Sequence, residues 1–495
     1  MAIEKVLGIE TEYGIAGGPD QDPILASSII VNAYAQQGAS RINWDFEGET
    51  PDLDARGLSG LTAFAPIVET HLANTVLSNG ARLYVDHAHP EYSSPECRTP
   101  LEATLYDIAG EEVMRRALSA ANAGLEPPDA ITMYKNNSDG KGNSYGTHEN
   151  YLVSRKVDFS DVVRAMVPHF VSRQVVVGAG KVGAETDDAL SHAPSFQLSQ
   201  RAEFFEEVVG LETTLKRPII NTRDEPHSDA ERFRRLHVII GDANMSQVAT
   251  FVKLGSTALL LAVLEDRGAA VFPPSPRHPV RAVRHFALDP SLQAVEQADN
   301  GESYSAWDLQ DALWHLAQDY VADTGAPAVA PETEVAEILT QWREMLDGVR
   351  ADPSGVADRV DWAAKQRVLQ GYRERHDLSD TDARLRAIDL QYHDLRPERS
   401  LSARVGLRRL FEVSPVRDAV HNPPRSTRAF FRGRCVERFP DEIVAANWDS
   451  LVFDLGDGPL QRVPMMDPLR GTADLTENLL ETSTSAADLL RALDG

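Results

Sequence analysis

Apolar and polar residues alternate along several short segments in the first half of the chain. The segment 82–86 reads RLYVD, and its alternation has the period of a strand with one buried face. Residues 5–14 predict a first strand in the same way. Further strands are predicted at 130–135, 149–154, 217–227 and 236–244. Hairpin spacings outnumber the long crossovers of parallel strands, so the pattern predicts a mainly antiparallel sheet.

Helical periodicity separates and follows these strands. An amphipathic pattern at 103–124 and a long one at 245–265 predict helices, and helical patterns alternate with short breaks over 305–395. Shorter helix-like stretches occur at 27–38 and 69–79. The apolar run TALLLAVL at 257–264 is too short to span a bilayer and predicts a buried helix. Strands followed by helices predict an α+β fold.

The length of 495 residues exceeds that of one ordinary domain. The chain becomes basic after about Arg396 and then strand-like, which predicts a catalytic domain over 1–395 and a small C-terminal domain over 396–495. The acidic stretch 44–64 has Gly and Pro but no steady period, so it predicts a long loop inserted in the catalytic domain. Such loops in compact domains are often functional, and a gate or substrate sensor is our hypothesis for this one.

The charge balance and cysteine count narrow the function classes. The formal net charge is −26, which argues against nucleic acid or an anionic membrane as partner. Cys97 and Cys435 are the only cysteines, so neither a disulfide framework nor a cysteine-rich zinc site is expected. The N-terminus has no apolar secretory segment, and we expect a cytoplasmic protein.

Glu10 and Glu12 are the first candidate functional residues. One residue separates them, so a strand places both carboxylates on one face. Hard oxygen ligands of this kind suit magnesium together with a nucleotide phosphate. A solvated strand face is the alternative, and this pair alone does not decide between them.

The segment 82–96, RLYVDHAHPEYSSPE, is the richest in chemistry. Arg82, Tyr84 and Asp86 share one strand face, and Glu91 follows Pro90 in a new extended piece. An arginine beside carboxylates can hold a phosphate while the acids hold its metal. A polar surface turn is the alternative, but the apolar residues before Asp86 favour a site.

Two histidines and two arginines extend this candidate site. His148 and His237 each lie at the edge of a strand and could complete metal shells, although either alone is more often a core residue. Arg223 and Arg235 lie in dense polar clusters, which indicate either a phosphate and carboxylate clamp or an ion-pair network. The sequence has neither a P-loop nor a GxGxxG turn, so ATP would depend on metals and arginines.

Long motifs throughout the chain resemble one family, the Pup ligases and Pup deamidases/depupylases, which are relatives of glutamine synthetase and the carboxylate–amine ligases. The motifs are GIETEYG, RLYVDHAHPEYSSPEC, YKNNSDGKGNSYGTHENYL, VSRQVVVGAGKVG, FQLSQRAEF, RPIINTRDEPHSDAERFRRLHVIIGDANM and NWDSLVFDLG. The resemblance implies a glutamine-synthetase-like antiparallel sheet cradle backed by helices, with a small C-terminal domain.

Two differences between the branches of this family bear on the activity. Where ligases read LDVGSHPEY, this chain reads VDHAHPEY, and it carries the acidic insertion. The resemblance therefore implies the deamidase branch, which deamidates the C-terminal Gln of Pup and cleaves isopeptide bonds between Pup and lysines. A Pup ligase is the first alternative. A small-molecule glutamate–amine ligase and a non-catalytic Pup-binding adaptor are the others.

The resemblance also implies roles for single residues. Asp86 matches the catalytic aspartate of the family. The matches to magnesium positions are Glu10, Tyr84 and Glu91, and those to ATP contacts are Arg82, Ser94 and Trp448. His148 and His237 are expected as further metal or nucleotide contacts. The implied cofactors are Mg²⁺ and an ATP that is not consumed in each turnover, and the implied partners are Pup and pupylated proteins, with a functional link to the bacterial proteasome.

Overall fold

A six-stranded antiparallel sheet lies at the centre of the protein. The computed structural model describes residues 1–37, 42–57, 73–126, 129–185, 196–456 and 458–493. The strands are β1 Leu7–Glu12, β2 Gly14–Gly17, β3 Asn43–Trp44, β4 Asn74–Val76, β5 Arg82–Asp86, β6 His89–Ser93, β7 Ile131–Tyr134, β8 Thr147–Ser154, β9 Lys181–Val182, β10 Phe196–Gln197, β11 Phe205–Gly210, β12 Arg217–Asn221, β13 Phe233–Gly241, β14 Val295–Gln297, β15 Ser303–Ser305, β16 Ile443–Ala446, β17 Ser450–Phe453 and β18 Gln461–Pro464. The central sheet has the order β13-β8-β1-β6-β5-β4, and the antiparallel prediction is confirmed.

Helices of the main core cover one face of this sheet, and the described residues form fourteen α-helices in all. They are α1 Pro23–Ala35, α2 Pro100–Ala123, α3 Phe159–Ser172, α4 Gln174–Val177, α5 Gln247–Arg267, α6 Pro279–Ala287, α7 Ala306–Thr324, α8 Glu332–Ala351, α9 Asp361–His376, α10 Ala383–Tyr392, α11 Val413–His421, α12 Ala429–Arg438, α13 Ala473–Thr482 and α14 Ala486–Leu493. Helices α2 and α5 pack against β1 and β8, while α7 and α8 pack on the far side of α5. The predicted order of strands and then helices therefore holds.

Alternation along β5 gives the sheet two different faces. Leu83 and Val85 are buried against the helices, whereas Arg82, Tyr84 and Asp86 point to the opposite, polar face. The helix-facing side chains of the other central strands are likewise mostly apolar and belong to the main core. Burial of one face fixes the register, because a slip of one residue would turn the charged side chains into the core.

Helix α5 is the central helix of the core. Ser246 caps its N-terminus by accepting a hydrogen bond from the backbone N–H of Ala249, and Gly268 ends it with a φ of 72°. In the described part of the chain it is the one helix with the length and apolar composition of a membrane span, and 94% of that stretch is buried inside the protein. The predicted buried helix at 257–264 lies within it.

A second, smaller core lies beside the polar face of the central sheet. It is formed around the sheet β18-β17-β16-β3 and helices α12–α14, and Ile42, Trp44 and Val76 join it from the N-terminal region. Helix α11 packs instead on α2 of the main core. The domain boundary near Arg396 stays a prediction.

Two predicted elements differ in the structure. Asn74–Val76, predicted within a helix at 69–79, forms edge strand β4, because pairing with β5 outweighs the local helical pattern; residues 69–72 lie outside the described residues. The strand predicted at 217–227 ends at Asn221, after which the chain turns through Pro226 and His227, whose φ is +46°. Of the predicted loop 44–64, residues 58–64 lie outside the described residues.

A close contact between α2 and β6 gives a stability prediction. A Cβ added at Gly110 would lie 2.3 Å from the ring of Tyr92, which is itself fully buried. We expect Gly110→Ala to destabilise the protein by about 1–3 kcal/mol through overpacking. The measurement is the thermal melting temperature. Gly371→Ala is the control, because this exposed position of α9 has no atom within 4 Å of an added Cβ. It should leave the melting temperature unchanged or raise it slightly, and equal effects of the two variants would contradict the prediction.

Candidate active site

Strand register brings the predicted acids and histidines together on the polar face. Glu12 pairs with Glu91 across β1 and β6, and Tyr84 pairs with the same Glu91 across β5 and β6. Glu10 pairs with His148 across β1 and β8. Directly opposed residues of one face have neighbouring side chains, so four strands contribute to one cluster.

The cluster contains two groups of potential metal ligands. Glu12, Asp86 and Glu91 form the carboxylate triad, and Glu10, His148 and His237 form the mixed triad. In each group, one ligand atom per residue lies within 4.8 Å of the others. The sequence predicted every one of these residues, although it did not divide them into two groups.

Like charges dominate the carboxylate triad. Burial and the charges of Asp86, Glu10 and Glu12 raise the pKa of Glu91 well above its ordinary value, against a hydrogen bond from Tyr84. The Tyr84 hydroxyl donates to Glu91 Oε1 at 2.6 Å. Burial and the Glu91 charge raise the pKa of Tyr84 as well, so the phenol keeps its proton and holds Glu91 in place. A divalent cation among these oxygens would relieve the repulsion.

Asp86 is the last residue of β5, just before the turn that leads into β6. Burial opposes its ionisation, but a hydrogen bond from His87 and the charges of His87, His148 and Arg82 lower its pKa below the ordinary value. His87 Nδ1 lies 3.1 Å from Asp86 Oδ1. Asp86 is therefore an ionised carboxylate at neutral pH, as a nucleophile or a general base must be.

The mixed triad is fixed by neighbouring polar groups. The Asn150 side chain donates to Glu10 Oε1 at 2.5 Å, and its Oδ1 lies 2.9 Å from His237 Nδ1. Burial and the nearby charge of Arg235 lower the pKa of His237 well below its ordinary value, which leaves a neutral imidazole. Neutral imidazole is the form that binds metals. Asn150 was missed by sequence reasoning, since an asparagine in a strand carries no distinctive signal.

Three arginines surround the same space. Arg82 stacks between the rings of Trp44 and Tyr84, at 4.0 and 3.8 Å from their centroids. Arg235 donates to the backbone carbonyl of Glu225 and to Asn150, both at 2.7 Å. The buried Nε of Arg223 has no hydrogen-bond partner among the described residues. The structure thus places all three predicted arginines around one cavity, next to the acids.

Three connected spaces open on the polar face. The inner chamber has a volume of about 230 Å³. It is lined by the three arginines and by five residues of the two triads: Glu10, Asp86, Glu91, His148 and His237. The apolar slot, about 80 Å³, lies between β1, β8 and Trp448. The outer cleft, about 1200 Å³, shares Asp86, His87, His148 and Thr213 with the inner chamber. Asp86 therefore faces two spaces at once.

Ser94 and Trp448, the remaining predicted contacts, both line the slot. The Ser94 hydroxyl is used within the fold, where it accepts the N–H of Ile9 at 3.0 Å and donates to the carbonyl of Pro95 at 3.1 Å. Trp448 packs edge-on against Trp44 with ring centroids 5.1 Å apart. Ser94 thus shapes the slot, whereas Trp448 presents a ring to it.

The described start of the acidic insertion lies across the inner chamber. Trp44 donates its indole N–H to Glu49 at 2.7 Å, and the backbone N–H of Thr50 donates to Glu225 at 2.6 Å. The backbone N–H of Ala55 reaches the carbonyl of Thr222 at 2.8 Å. Residues 44–57 therefore bridge the C-terminal sheet and the turn after β12.

Two arginines in the outer cleft, Arg201, which is buried, and Arg217, which is half-buried, were missed by sequence reasoning. Arg201 is 1% exposed, and burial together with the charge of Arg217 lowers its pKa to about 9. Arg217 donates to the backbone carbonyls of Thr213 and Ser144 at 2.9 and 2.6 Å. No carboxylate of the described residues lies within ion-pair distance of either guanidinium. Cations that are partly or fully removed from water without an ion-pair partner favour an anionic ligand.

Comparison with known protein families identifies relatives over the whole chain. A family model described as Pup-ligase protein matches residues 5–452. The depupylase of Acidothermus cellulolyticus is 49% identical, with all of both chains covered. The Pup deamidase/depupylase of Mycolicibacterium smegmatis is 46% identical over 99% of this chain and 100% of its own. The Pup–protein ligase of Acidimicrobium ferrooxidans is 36% identical over 96% of this chain and 98% of its own.

Two solved structures share the architecture. The ligase PafA in complex with prokaryotic ubiquitin-like protein Pup superposes with a TM-score of 0.81 at 27% identity, covering 99% of this chain and 95% of that one. PafA in complex with ADP superposes with a TM-score of 0.75 at 30% identity, covering 82% of this chain and 89% of that one. These matches confirm the predicted α+β, glutamine-synthetase-like fold.

The raised pKa of Glu91 predicts how stability changes with pH. Without divalent cations, the folded state keeps a proton on Glu91 that the unfolded chain releases, so this stabilisation is present at low pH and is lost as pH rises through the folded pKa. The amide of Glu91→Gln does not titrate, so this variant does not lose stability in this way as pH rises. In a chelator, the variant should therefore melt increasingly above the unmodified protein as pH rises from about 4.5 to 8.

Glu96→Gln is the matched control for this experiment. Glu96, which is largely removed from water, pairs with Arg428 and Arg432, and their charges hold its pKa at about 2 against the effect of burial. Its amide variant should melt lower than the unmodified protein at neutral pH, because two buried cations lose their partner. A Glu91→Gln variant that also melts lower at pH 8 in chelator would contradict the prediction.

Proposed function

Because this chain belongs to the Pup-ligase family and is 46–49% identical to depupylases, we propose that it hydrolyses amide bonds to Pup. It deamidates the C-terminal Gln of Pup to Glu, and it cleaves the isopeptide bond between Pup and a substrate lysine. One observation carries this proposal: an ionised Asp86 lies where the inner chamber meets the outer cleft. A single carboxylate in that position can serve both reactions, because both break the same side-chain amide.

The ligase reaction is the second candidate, and the identities favour hydrolysis. The named Pup–protein ligases share 35–37% of their residues with this chain, against 46–49% for the named depupylases. The fold does not separate the two activities, since the matched structures are of a ligase. Pup ending in Gln separates them, since a hydrolase releases ammonia from it and a ligase does not.

We propose ATP as the bound nucleotide, which the ADP complex of the related ligase supports. We assign the planar base to the apolar slot beside Trp448 and the phosphates to the inner chamber, which is lined by Arg82, Arg223 and Arg235. The unpartnered Nε of Arg223 fits this assignment, because a buried guanidinium N–H needs an acceptor. We expect the nucleotide to stay bound rather than to be consumed in each turnover.

Magnesium is the proposed cation. The carboxylate triad offers only oxygen, the ligand that Mg²⁺ prefers, and its crowded charges need a counter-ion. Bound Mg²⁺ acts as a Lewis acid on phosphate and carbonyl oxygens. The mixed triad contributes Glu10 to the same space, with His148 and His237 as its further ligands. Tyr84, which matches a magnesium position of the family, is proposed to lie at the same cation, and its hydrogen bond at 2.6 Å also orients Glu91.

Asp86 performs the first step by one of two routes. It either takes a proton from water, which attacks the amide carbonyl, or attacks that carbon itself to form an acyl-aspartate that water then hydrolyses. In both routes the C–N bond breaks, the amine leaves with a proton, and a carboxylate is released. His87 keeps Asp86 ionised and oriented through its contact at 3.1 Å.

The outer cleft is proposed to hold the end of Pup. Its volume, about 1200 Å³, is enough for a polypeptide segment, and Arg201 and Arg217 offer two cations to the acidic C-terminus that the resemblance implies. Carboxylates bind guanidinium groups in two-point geometry. The side-chain amide of the last residue would then lie in reach of Asp86 at the end of β5.

Several broader expectations stand with this proposal. Pupylated proteins are the proposed substrates, a link to the bacterial proteasome is the proposed context, and the cytoplasm is the proposed location. The acidic insertion is proposed as a gate, since its described part crosses the inner chamber. Deletion of the insertion should then change the kinetic constants for Pup.

Asp86→Asn tests the assigned chemistry. The amide keeps the size of the side chain but loses its charge, so deamidation and depupylation should fall by roughly 10²–10⁴-fold. ATP binding should persist, since the slot and the arginines are unchanged. Ammonia release from Pup ending in Gln measures the first effect and calorimetry the second. Depupylation at the normal rate would contradict the role of Asp86.

Arg217→Met tests the proposed anchor in the outer cleft. The variant keeps an unbranched side chain but removes the cation, and KM for Pup should rise roughly tenfold to a hundredfold while kcat changes less. Arg164→Met is the control, because Arg164 is an exposed arginine of α3 away from the cleft. An unchanged KM in Arg217→Met, or an equal rise in both variants, would refute the anchor.

A further inference from the structure

The inner chamber and the apolar slot adjoin each other, and five residues line both spaces; we call these five residues the neck. The residues common to both spaces are Glu10, Ser93, His227, Arg235 and Trp448. If the base of a nucleotide lies in the slot and its phosphates lie in the chamber, the sugar between them must pass this neck. The residues of the neck are therefore those that can distinguish one sugar from another, and this step rests on the proposed nucleotide site.

Three of the five neck residues already use their polar groups. Glu10 accepts from Asn150 and belongs to the mixed triad. Arg235 donates to the carbonyl of Glu225 and to Asn150. The Ser93 hydroxyl lies 3.4 Å from Glu91. Their hydrogen-bonding capacity is directed toward the metal ligands and the turn after β12.

His227 differs from these residues. Among the described residues, its ring nitrogens have no hydrogen-bond partner, and the nearest carboxylate oxygen, of Glu225, lies 3.7 Å from Nε2. The side chain is 17% exposed, so it is largely removed from bulk water. A mostly buried imidazole without a partner is costly unless a ligand supplies one. A neutral ring offers one donor and one acceptor, which matches a sugar hydroxyl.

The backbone holds this ring in an unusual conformation. His227 has a φ of +46°, in the left-handed region that strains a non-glycine residue. Its carbonyl accepts from Arg428 at 2.7 Å, and Arg428 is itself paired with Glu96. Two residues earlier, the Glu225 carbonyl accepts from Arg235 at 2.7 Å. Arginines on both sides of the turn thus fix a strained position, and with it the direction of the ring.

We propose that His227 recognises the ribose of the bound nucleotide through a hydrogen bond to one of its two hydroxyl groups. It makes the site selective for ribonucleotides over their deoxy counterparts. Trp448, the fifth residue of the neck, supplies a flat wall against the sugar and the base. Its indole N–H is a donor only, so it cannot replace a group that both donates and accepts.

Calorimetric titration with ATP, 2′-deoxy-ATP and 3′-deoxy-ATP tests this proposal. The unmodified protein should bind one deoxy analogue roughly threefold to tenfold more weakly than ATP, as expected for one lost hydrogen bond. His227→Gly removes the ring and relieves the positive φ, and it should bind all three nucleotides equally within about twofold. His227→Asn, which tolerates the same backbone conformation, serves as a second variant if His227→Gly does not fold.

Two further variants serve as controls. His87→Gly also removes an imidazole at positive φ, here +51°, but His87 lines the inner chamber and the outer cleft and not the slot, so the ratio of affinities should not change. Trp448→Phe keeps an aromatic wall without the N–H and should keep the discrimination between ATP and the weaker analogue.

Three outcomes would overturn the inference. Equal affinity of the unmodified protein for all three nucleotides removes its basis. If both His227 variants still bind ATP more tightly than the weaker deoxy analogue, another group recognises the ribose. The same follows if only Trp448→Phe loses this difference in affinity. Absence of ATP binding to the unmodified protein refutes the nucleotide site itself, so failure of the proposed function is distinguishable from failure of the His227 assignment.

Discussion

Repulsion between carboxylates on one face of one sheet is the constraint on which the site depends. Glu10, Glu12, Asp86 and Glu91 come from three adjacent strands, and their mutual charge raises the pKa of Glu91. Nothing in the local sequence would hold four acids this close. Their positions are set by the opposite face of the same strands, where apolar side chains are buried against α2 and α5. The energy of core burial thus keeps the acids together in readiness for a cation.

The remaining groups divide the polar face by charge. Three cations lie beside the acids and surround the inner chamber: Arg82, Arg223 and Arg235. Two others, Arg201 and Arg217, lie in the outer cleft. Asp86 stands between the two sets, kept ionised by His87. An anionic nucleotide and an anionic peptide can therefore be held in separate spaces while one carboxylate reaches between them.

The alternation of apolar and polar residues predicted the strands of the sheet and the face on which the acidic side chains lie, because both depend on the pattern within single strands. Glu10, Glu12, Arg82, Tyr84 and Asp86 lie on the predicted face. The strand β4 was wrongly predicted as helix, since a three-residue edge strand depends on its partner and not on its own pattern. Asn150, Arg201 and Arg217 were missed for a related reason. Their importance comes from which strands and turns are neighbours, and single-sequence periodicity does not contain that information.

One pairing in the smaller sheet links distant parts of the chain. Strand β3 pairs in parallel with β16, and Asn447 donates to the carbonyl of Asp45 across 402 residues of sequence. Trp44, which stacks on Arg82, therefore reaches its place only when the end of the chain is present. During synthesis, the nascent N-terminal region can form the acid-bearing sheet but not the enclosure above it. A chain that stops before β16 would therefore leave the polar face open beside Arg82, so enclosure of the site requires Ile443–Ala446.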